Sequence, residues 1–213
     1  MAELLTVWLL YFTSFITLMN PLGVMPVFMS MTSDLSRKQR KATALKALIT
    51  AFFTLVVFAF GGQMLFNFFG ISVAGLKVVG GILFFIMGYD MLNARLSKTK
   101  LTDEDANKYV NDISITPLGI PMIAGPGSIT NAIILMDQSP GAAEKAILIG
   151  AILAVCLVVL SILLSADKIM RALGDTGNKV MMKLMGLIVM VIAVEFFFTG
   201  ITPYIREILG ISL

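Results

Sequence analysis

Two stretches of this sequence put proline and glycine inside apolar runs long enough to cross a bilayer. The first reads Asn20-Pro21-Leu22-Gly23-Val24-Met25-Pro26. The second reads Thr116-Pro117-Leu118-Gly119-Ile120-Pro121, followed by Gly125-Pro126-Gly127-Ser128. Proline removes a backbone donor and clashes with the preceding turn, at about 3 kcal/mol or more in a helix interior. In lipid, each freed N–H or C=O is costly unless protein, ion or water satisfies it. A helix that stops exposes carbonyls with a partial negative charge, and one that restarts exposes N–H groups with a partial positive charge. Two restarts that meet can hold a carboxylate, and the carbonyls of the stopped halves can take an ammonium. The chemistry on offer is therefore the binding of a small zwitterion, with its carboxylate expected on the restarts near Gly23 and Gly127 and its ammonium on the carbonyls near Asn20 and Gly125. Gly23, Gly119, Gly125 and Gly127 let backbone approach a ligand with no side chain between. Asn20, Thr116, Ser128, Thr130 and Asn131 add neutral donors and acceptors.

Other chemistry is scarce. The chain has no histidine and one cysteine, Cys156. A disulfide framework and serine–histidine catalysis are excluded, and a His/Cys metal site is not expected. An enzyme is disfavoured because no acid–base pair accompanies the breaks. Besides Lys46 at the start of the second run, Lys77, Lys183, Asp90 and Glu195 lie inside apolar runs, where a charge costs about 2.5–3.5 kcal/mol at the helix centre on insertion scales. Lys77 and Lys183 stand near the starts of their runs and can snorkel to the headgroups. Asp90 stands near the end of its run, as an interface residue. Glu195 sits between Val191-Ile192-Ala193-Val194 and Phe196-Phe197-Phe198, where a short acid cannot easily reach water; Glu195, with Asp90 second, is the candidate for proton coupling.

These residues are carried by apolar runs near 4–30, 44–66, 71–93, 113–136, 146–166 and 180–202. Each reaches the roughly 20 residues that span about 30 Å of hydrocarbon. The composition agrees: 58 % of residues are apolar and 14 % charged, with mean hydropathy +0.93, against roughly 25 % charged in soluble domains. The N-terminus, with acidic Glu3 and no basic region, is not expected to be a cleaved signal. Thirteen of the 16 Lys and Arg fall between runs one and two, three and four, or five and six, counting Lys46 and Lys183 at the starts of runs two and six. The positive-inside rule then puts both termini outside. The net charge of +3 is this topology signal, and nucleic acid is not an expected partner.

Three runs per half mean that the second half enters from the opposite side. Lys77-x-x-Gly80 opens the third run and Lys183-x-x-Gly186 the sixth. Asn20-Pro21 matches Gly125-Pro126 in nearly the same register, whereas Pro21-Leu22-Gly23 matches Pro117-Leu118-Gly119 by identity. The expected fold is an all-α membrane protein of six transmembrane helices, built as two inverted three-helix repeats with helices 1 and 4 broken. It forms one membrane domain over 1–213: a first repeat over 1–94, a solvated cytoplasmic linker over 95–112 and a second repeat over 113–213. Gly61, Gly62, Gly80, Gly81 and Gly88 are expected to let helices pack closely around the broken ones.

The two break motifs, the Ala124-Gly125-Pro126-Gly127-Ser128-Ile129 run, Gly80-Gly81-Ile82-Leu83, Gly186-Leu187-Ile188 and Val194-Glu195 together resemble the MarC family. That family includes the SnatA-type small neutral amino acid transporters, within the lysine-exporter superfamily. The likeness covers essentially the whole chain. The family's first motif often has Asp where this chain has Asn20, which removes a titrating group there. The resemblance implies a prokaryotic cytoplasmic (inner) membrane protein that transports glycine, alanine and similar amino acids, coupled to protons, with the substrate between discontinuous helices 1 and 4. The binding residues would be Asn20, Pro21, Gly23, Thr116, Gly119, Gly125, Gly127 and Ser128, with no cofactor. Sodium coupling, a homo-oligomer, and a channel or uncoupled exporter of small solutes stay open as alternatives.

Overall fold

The computed structural model describes residues 2–33, 35–93 and 103–210, and all regular structure among them is helical. The elements are α1 (Ala2–Met19), α2 (Pro21–Met31), α3 (Arg37–Phe69), α4 (Val73–Leu92) and α5 (Asp103–Ile113), then a wide-turned irregular segment, Ser114–Ile123, and α6 (Pro126–Gln138) and α7 (Ala142–Ile208). Five stretches are long and apolar enough to cross a membrane: Leu4–Met31, Arg37–Phe69, Val73–Leu92, Ala142–Ala166 and Lys179–Ile208. A sixth arises if Asn107–Ile123 and Pro126–Gln138, bent by 62° at their junction, form one span.

The outer surface explains the composition. On α3, Phe53, Val57, Phe60 and Met64 are each 60 % or more exposed. They recur at helical spacing opposite a buried face of Ala44, Ala47, Ala51, Leu55 and Ala59. A helix in water would carry polar residues on that outer stripe; this one is apolar on both sides, as a bilayer requires.

α7 leaves helical geometry at Gly174, where φ is 66° and ψ 178°. Glycine adopts that backbone without a Cβ penalty. The chain turns there into two arms, Ala142–Ala166 and Lys179–Ile208. The basic stretch between the fifth and sixth apolar runs is thus largely helical rather than a loop.

The second arm packs antiparallel to α4 along a seam of small residues. A Cβ on Gly81 would lie 2.7 Å from the Ala193 carbonyl oxygen, one on Gly88 2.7 Å from that of Gly186, and one on Gly200 2.7 Å from that of Ala74. Ala74, Gly81 and Gly88 recur every seventh residue, and so do Gly186, Ala193 and Gly200. The backbones touch where the two series meet, the close approach that small residues permit between membrane helices. Gly81 and Gly88 therefore serve this seam rather than the broken helices. Gly80 does pack on one: a Cβ there would meet the Pro126 ring at 2.2 Å.

The linker expected over 95–112 is helical from Asp103 onward; its residues 95–102 lie outside the described residues. The helix forms because Val110 and Ile113 are buried. Hydrogen bonds also tie it down: the Tyr109 hydroxyl donates to the Met31 carbonyl at 3.1 Å and Lys46 donates to Asn111.

Candidate functional site

The first interruption is a single residue. Asn20 sits between α1 and α2 with φ 41° and ψ 65°, the left-handed region, which Asn tolerates better than most residues. Its side-chain oxygen accepts from the Gly23 N–H at 3.2 Å. Its carbonyl accepts from Gly23 and Val24 at 2.9 and 3.1 Å. Pro21 fills the first helical position, where its missing N–H costs nothing. Gly23 is needed because a Cβ would lie 2.5 Å from the Asn20 amide nitrogen. The restart of α2 is thus capped by its own sequence.

The second interruption is longer and less satisfied. Thr116 (φ −131°, ψ 123°) and Ile120 (φ −132°, ψ 126°) are extended. Each precedes a proline, which crowds the residue before it out of the helical region. α6 restarts at Pro126 with Gly125 as its cap residue and no side-chain cap. Its first helical bond runs from Ile129 N–H to the Gly125 carbonyl at 2.9 Å. The N–H groups of Gly127 and Ser128 belong to the unpaired first turn. Close by, the Ser128 and Thr130 hydroxyls are buried with no hydrogen-bond partner among the described residues. Ser128 is only 1 % exposed. A buried polar group left unpaired costs about 1–3 kcal/mol, so these two call for a ligand, an ion or water. Asn131, by contrast, is used structurally: its amide donates to the Ser14 hydroxyl at 2.9 Å and holds α6 against α1.

A cavity of about 150 Å³ joins the two interruptions. The first contributes Thr17, Leu18, Asn20 and Gly23, and the second contributes Met122. α4 adds Phe84 and Met87; the second arm of α7 adds Val189, Ile192 and Phe196. Gly127 abuts this wall, since a Cβ there would lie 2.4 Å from Phe196 and 3.1 Å from Leu18. Gly125 abuts it too, 2.7 Å from Phe84 on the same construction. Phe84 and Phe196 stack with ring centroids 6.0 Å apart. Two carbonyls deserve naming. The residue four places after Thr17 is Pro21, and four after Met122 is Pro126. Neither proline can donate, so neither lining carbonyl has the partner that an α-helix would supply four residues on.

Of the residues singled out from sequence, Asn20 and Gly23 line the cavity and Gly125 and Gly127 form the back of its wall. Pro21 is buried beside them. Thr116 is exposed and not part of the lining. Gly119 packs on Thr50 of α3, 3.0 Å from a Cβ placed on it. The expected carboxylate contact at Gly23 meets an N–H already taken by Asn20, and the Asn20 and Gly125 carbonyls expected to hold an ammonium already accept helix bonds. The Thr17 and Met122 carbonyls are better suited. Sequence reasoning missed them, although the proline four residues on was legible; it also missed the Phe84–Phe196 wall.

Asp90 is half-buried near the end of α4, one turn beyond Met87. Glu195 is exposed on the second arm, two residues and so about 200° around the helix from Ala193 in the seam. The protein does not enclose Glu195: its neighbour Phe196 lines the cavity, and Glu195 faces outward with Val191 and Phe198.

Comparison with known proteins agrees over nearly the full length. Residues 5–205 match the family described as MarC family integral membrane protein. A UPF0056 membrane protein of Pyrococcus horikoshii is 39 % identical over 202 residues, covering 94 % of this chain and 97 % of its own. The UPF0056 membrane protein YvbG of Bacillus subtilis is 38 % identical, covering 89 % and 92 %. One from Methanocaldococcus jannaschii is 34 % identical, covering 91 % and 95 %. No solved structure matches.

Proposed function

The chain belongs to the MarC family of integral membrane proteins, and from that premise we propose that it is a secondary transporter of small neutral amino acids such as glycine and alanine. The observation that carries this reading is the cavity lined by both interruptions, with Gly127, in the uncapped first turn of α6 and next to the unpaired Ser128 hydroxyl, packed behind its Phe196 and Leu18 wall. The substrate carboxylate would take the Gly127 and Ser128 N–H groups and the Ser128 hydroxyl. Its ammonium would take the Thr17 and Met122 carbonyls. Apart from Thr17 and Asn20 the lining side chains are apolar and none is charged, so a charged side chain on the substrate would be desolvated without an opposite charge. Phe84 and Phe196 limit the length of side chain that fits.

The protein would sit in a prokaryotic cytoplasmic membrane with both termini outside and work by alternating access. Its halves would be inverted repeats, the second entered from the opposite side. Shared features favour that symmetry: Thr17 and Pro21 correspond to Met122 and Pro126, and the α4 seam runs antiparallel to that of the second arm. Proton coupling is part of the proposal, with sodium as its rival. Asp90, one turn from the cavity, is better situated for it than Glu195. An Asp90→Asn variant should lose pH-gradient-driven uptake while keeping exchange of glycine; full proton dependence in that variant would remove Asp90.

The test of the substrate class is a binding series on the purified protein: glycine, alanine, valine, phenylalanine and glutamate by calorimetry. We expect glycine and alanine to bind and phenylalanine and glutamate to fail. Equal binding across the series, or none, would remove the assignment.

A further inference from the structure

A second cavity lies away from the interruptions, where α3 begins and the first arm of α7 ends. It holds about 160 Å³. One side is basic, formed by Arg37, Arg40 and Lys41 of α3 with Lys168 and Arg171 of α7. The other side is apolar, formed by Phe28 and Leu163, both buried, and by Leu164, which is exposed. Leu163 and Leu164 belong to the Ala142–Ala166 span and come just before its end. The cavity thus straddles the boundary between hydrocarbon and headgroups.

The charge arrangement is unfavourable by itself. α3 opens with Arg37, Lys38 and Arg40 and has no acid in its first turn. A helix start already carries partial positive charge and favours anions. Its cap is Ser36 with Gln39, a box in which a neutral amide stands where an acid is equally common. Across the gap, Lys168 and Arg171 add further positive charge. Arg40 donates to the Ser33 and Leu35 carbonyls at 3.4 and 3.3 Å, and Arg171 is also engaged within the protein. Arg37, Lys41 and Lys168 form no ion pair among the described residues, and they come from two helices far apart in sequence. The positive-inside rule accounts for basic residues on this face. It does not account for their convergence on one cavity with an apolar wall.

We infer that this cavity binds the phosphate of an anionic glycerophospholipid, with Arg37, Lys41 and Lys168 around the phosphate and the start of an acyl chain against Leu164 and Phe28. Basic pockets between membrane helices on the cytoplasmic side suit such headgroups. A free phosphate would satisfy the cations and leave the apolar wall unused, which is why a lipid is the fitting occupant. The lipid would neutralise the start of α3 and tie it to the first arm, just ahead of the turn at Gly174. This inference does not depend on the transported substrate.

The experiment is native mass spectrometry of the full-length protein released from nanodiscs of equal phosphatidylglycerol and phosphatidylcholine. We expect phosphatidylglycerol to be retained at least tenfold over phosphatidylcholine, and the preference to shrink with added salt. The triple variant Arg37→Gln, Lys41→Gln, Lys168→Gln should lose the preference. A control triple on the same basic face, Lys46→Gln, Lys108→Gln, Lys183→Gln, should keep it. Thermal unfolding in detergent, with either lipid or inorganic phosphate added, gives a second readout. Stabilisation of the wild type by phosphatidylglycerol and not by phosphate is expected. Equal retention of the two lipids, equal loss in both triples, or equal stabilisation by inorganic phosphate would overturn the inference. Should the first triple fail to fold, the wild-type lipid preference, its salt dependence and the Lys168→Gln single variant still decide it.

Discussion

The two interruptions of the apolar helices solve one backbone problem in opposite ways. At Asn20 the chain caps itself: one residue adopts the left-handed conformation, and its side chain and carbonyl accept from Gly23 and its carbonyl also from Val24. At Gly125 no side chain caps α6, and two buried hydroxyls, Ser128 and Thr130, have no partner among the described residues. The first is complete without a ligand. The second is an arrangement whose cost falls when something polar enters. One cavity is lined by residues of both; on the proposed reading the first interruption shapes the site and the second supplies the unpaired polar groups.

That difference can be attacked residue by residue. The largest effect is expected from Gly127→Leu. Its Cβ would press on Phe196 and Leu18 and fill the space before the α6 start. Glycine binding should be abolished, read by calorimetry, while size-exclusion chromatography still shows a folded protein. Next comes Ser128→Ala, for which two readouts should move in opposite directions. Removing an unpaired buried hydroxyl should raise unfolding stability by about 1 kcal/mol. Losing its bond to a carboxylate should weaken glycine binding by roughly tenfold, since bonds to charged groups are worth about 1.5–3 kcal/mol. If stability falls as well, the hydroxyl has a structural partner and the contrast between the interruptions is wrong.

Asn20→Ala should act the other way round. The lost cap should cost about 0.5–2 kcal/mol of stability, with further cost because alanine is strained at positive φ. Glycine binding should change less than for Ser128→Ala. Asn20→Gly should recover the conformational part of that loss and not the cap. The smallest effect is expected from Glu195→Gln. With its side chain turned away from the cavity, glycine affinity should stay within about twofold of wild type. A large loss of affinity would show that the outward face of the second arm takes part in binding.

Much of this was legible in the sequence because membrane helices are written in long apolar runs and proline marks their interruptions without ambiguity. The membrane-length helices and the family followed from those signals. What was not legible depended on rotation about helix axes. Glu195 reads as an enclosed acid because apolar residues flank it on both sides in sequence, yet a turn of about 100° per residue sends Phe196 inward and Glu195 outward. The identity match of Pro21-Leu22-Gly23 with Pro117-Leu118-Gly119 pulled toward Thr116 and Gly119, whereas the match of Asn20-Pro21 with Gly125-Pro126 points to the glycines that back the cavity wall. Gly81 and Gly88 were recognised as packing residues, but their partner, the second arm of α7, is distant in sequence and shows itself only through the matching seven-residue spacing of Gly186, Ala193 and Gly200.

The most direct test is uptake of radiolabelled glycine into liposomes holding the purified protein, wild type beside Gly127→Leu, under an imposed pH gradient. We expect the wild type to accumulate glycine above equilibrium, alanine to compete, and the variant to behave like empty liposomes. Accumulation by the variant equal to wild type, or flux in the wild type that only equilibrates under both proton and sodium gradients, would contradict a coupled transporter with its site between the two interruptions.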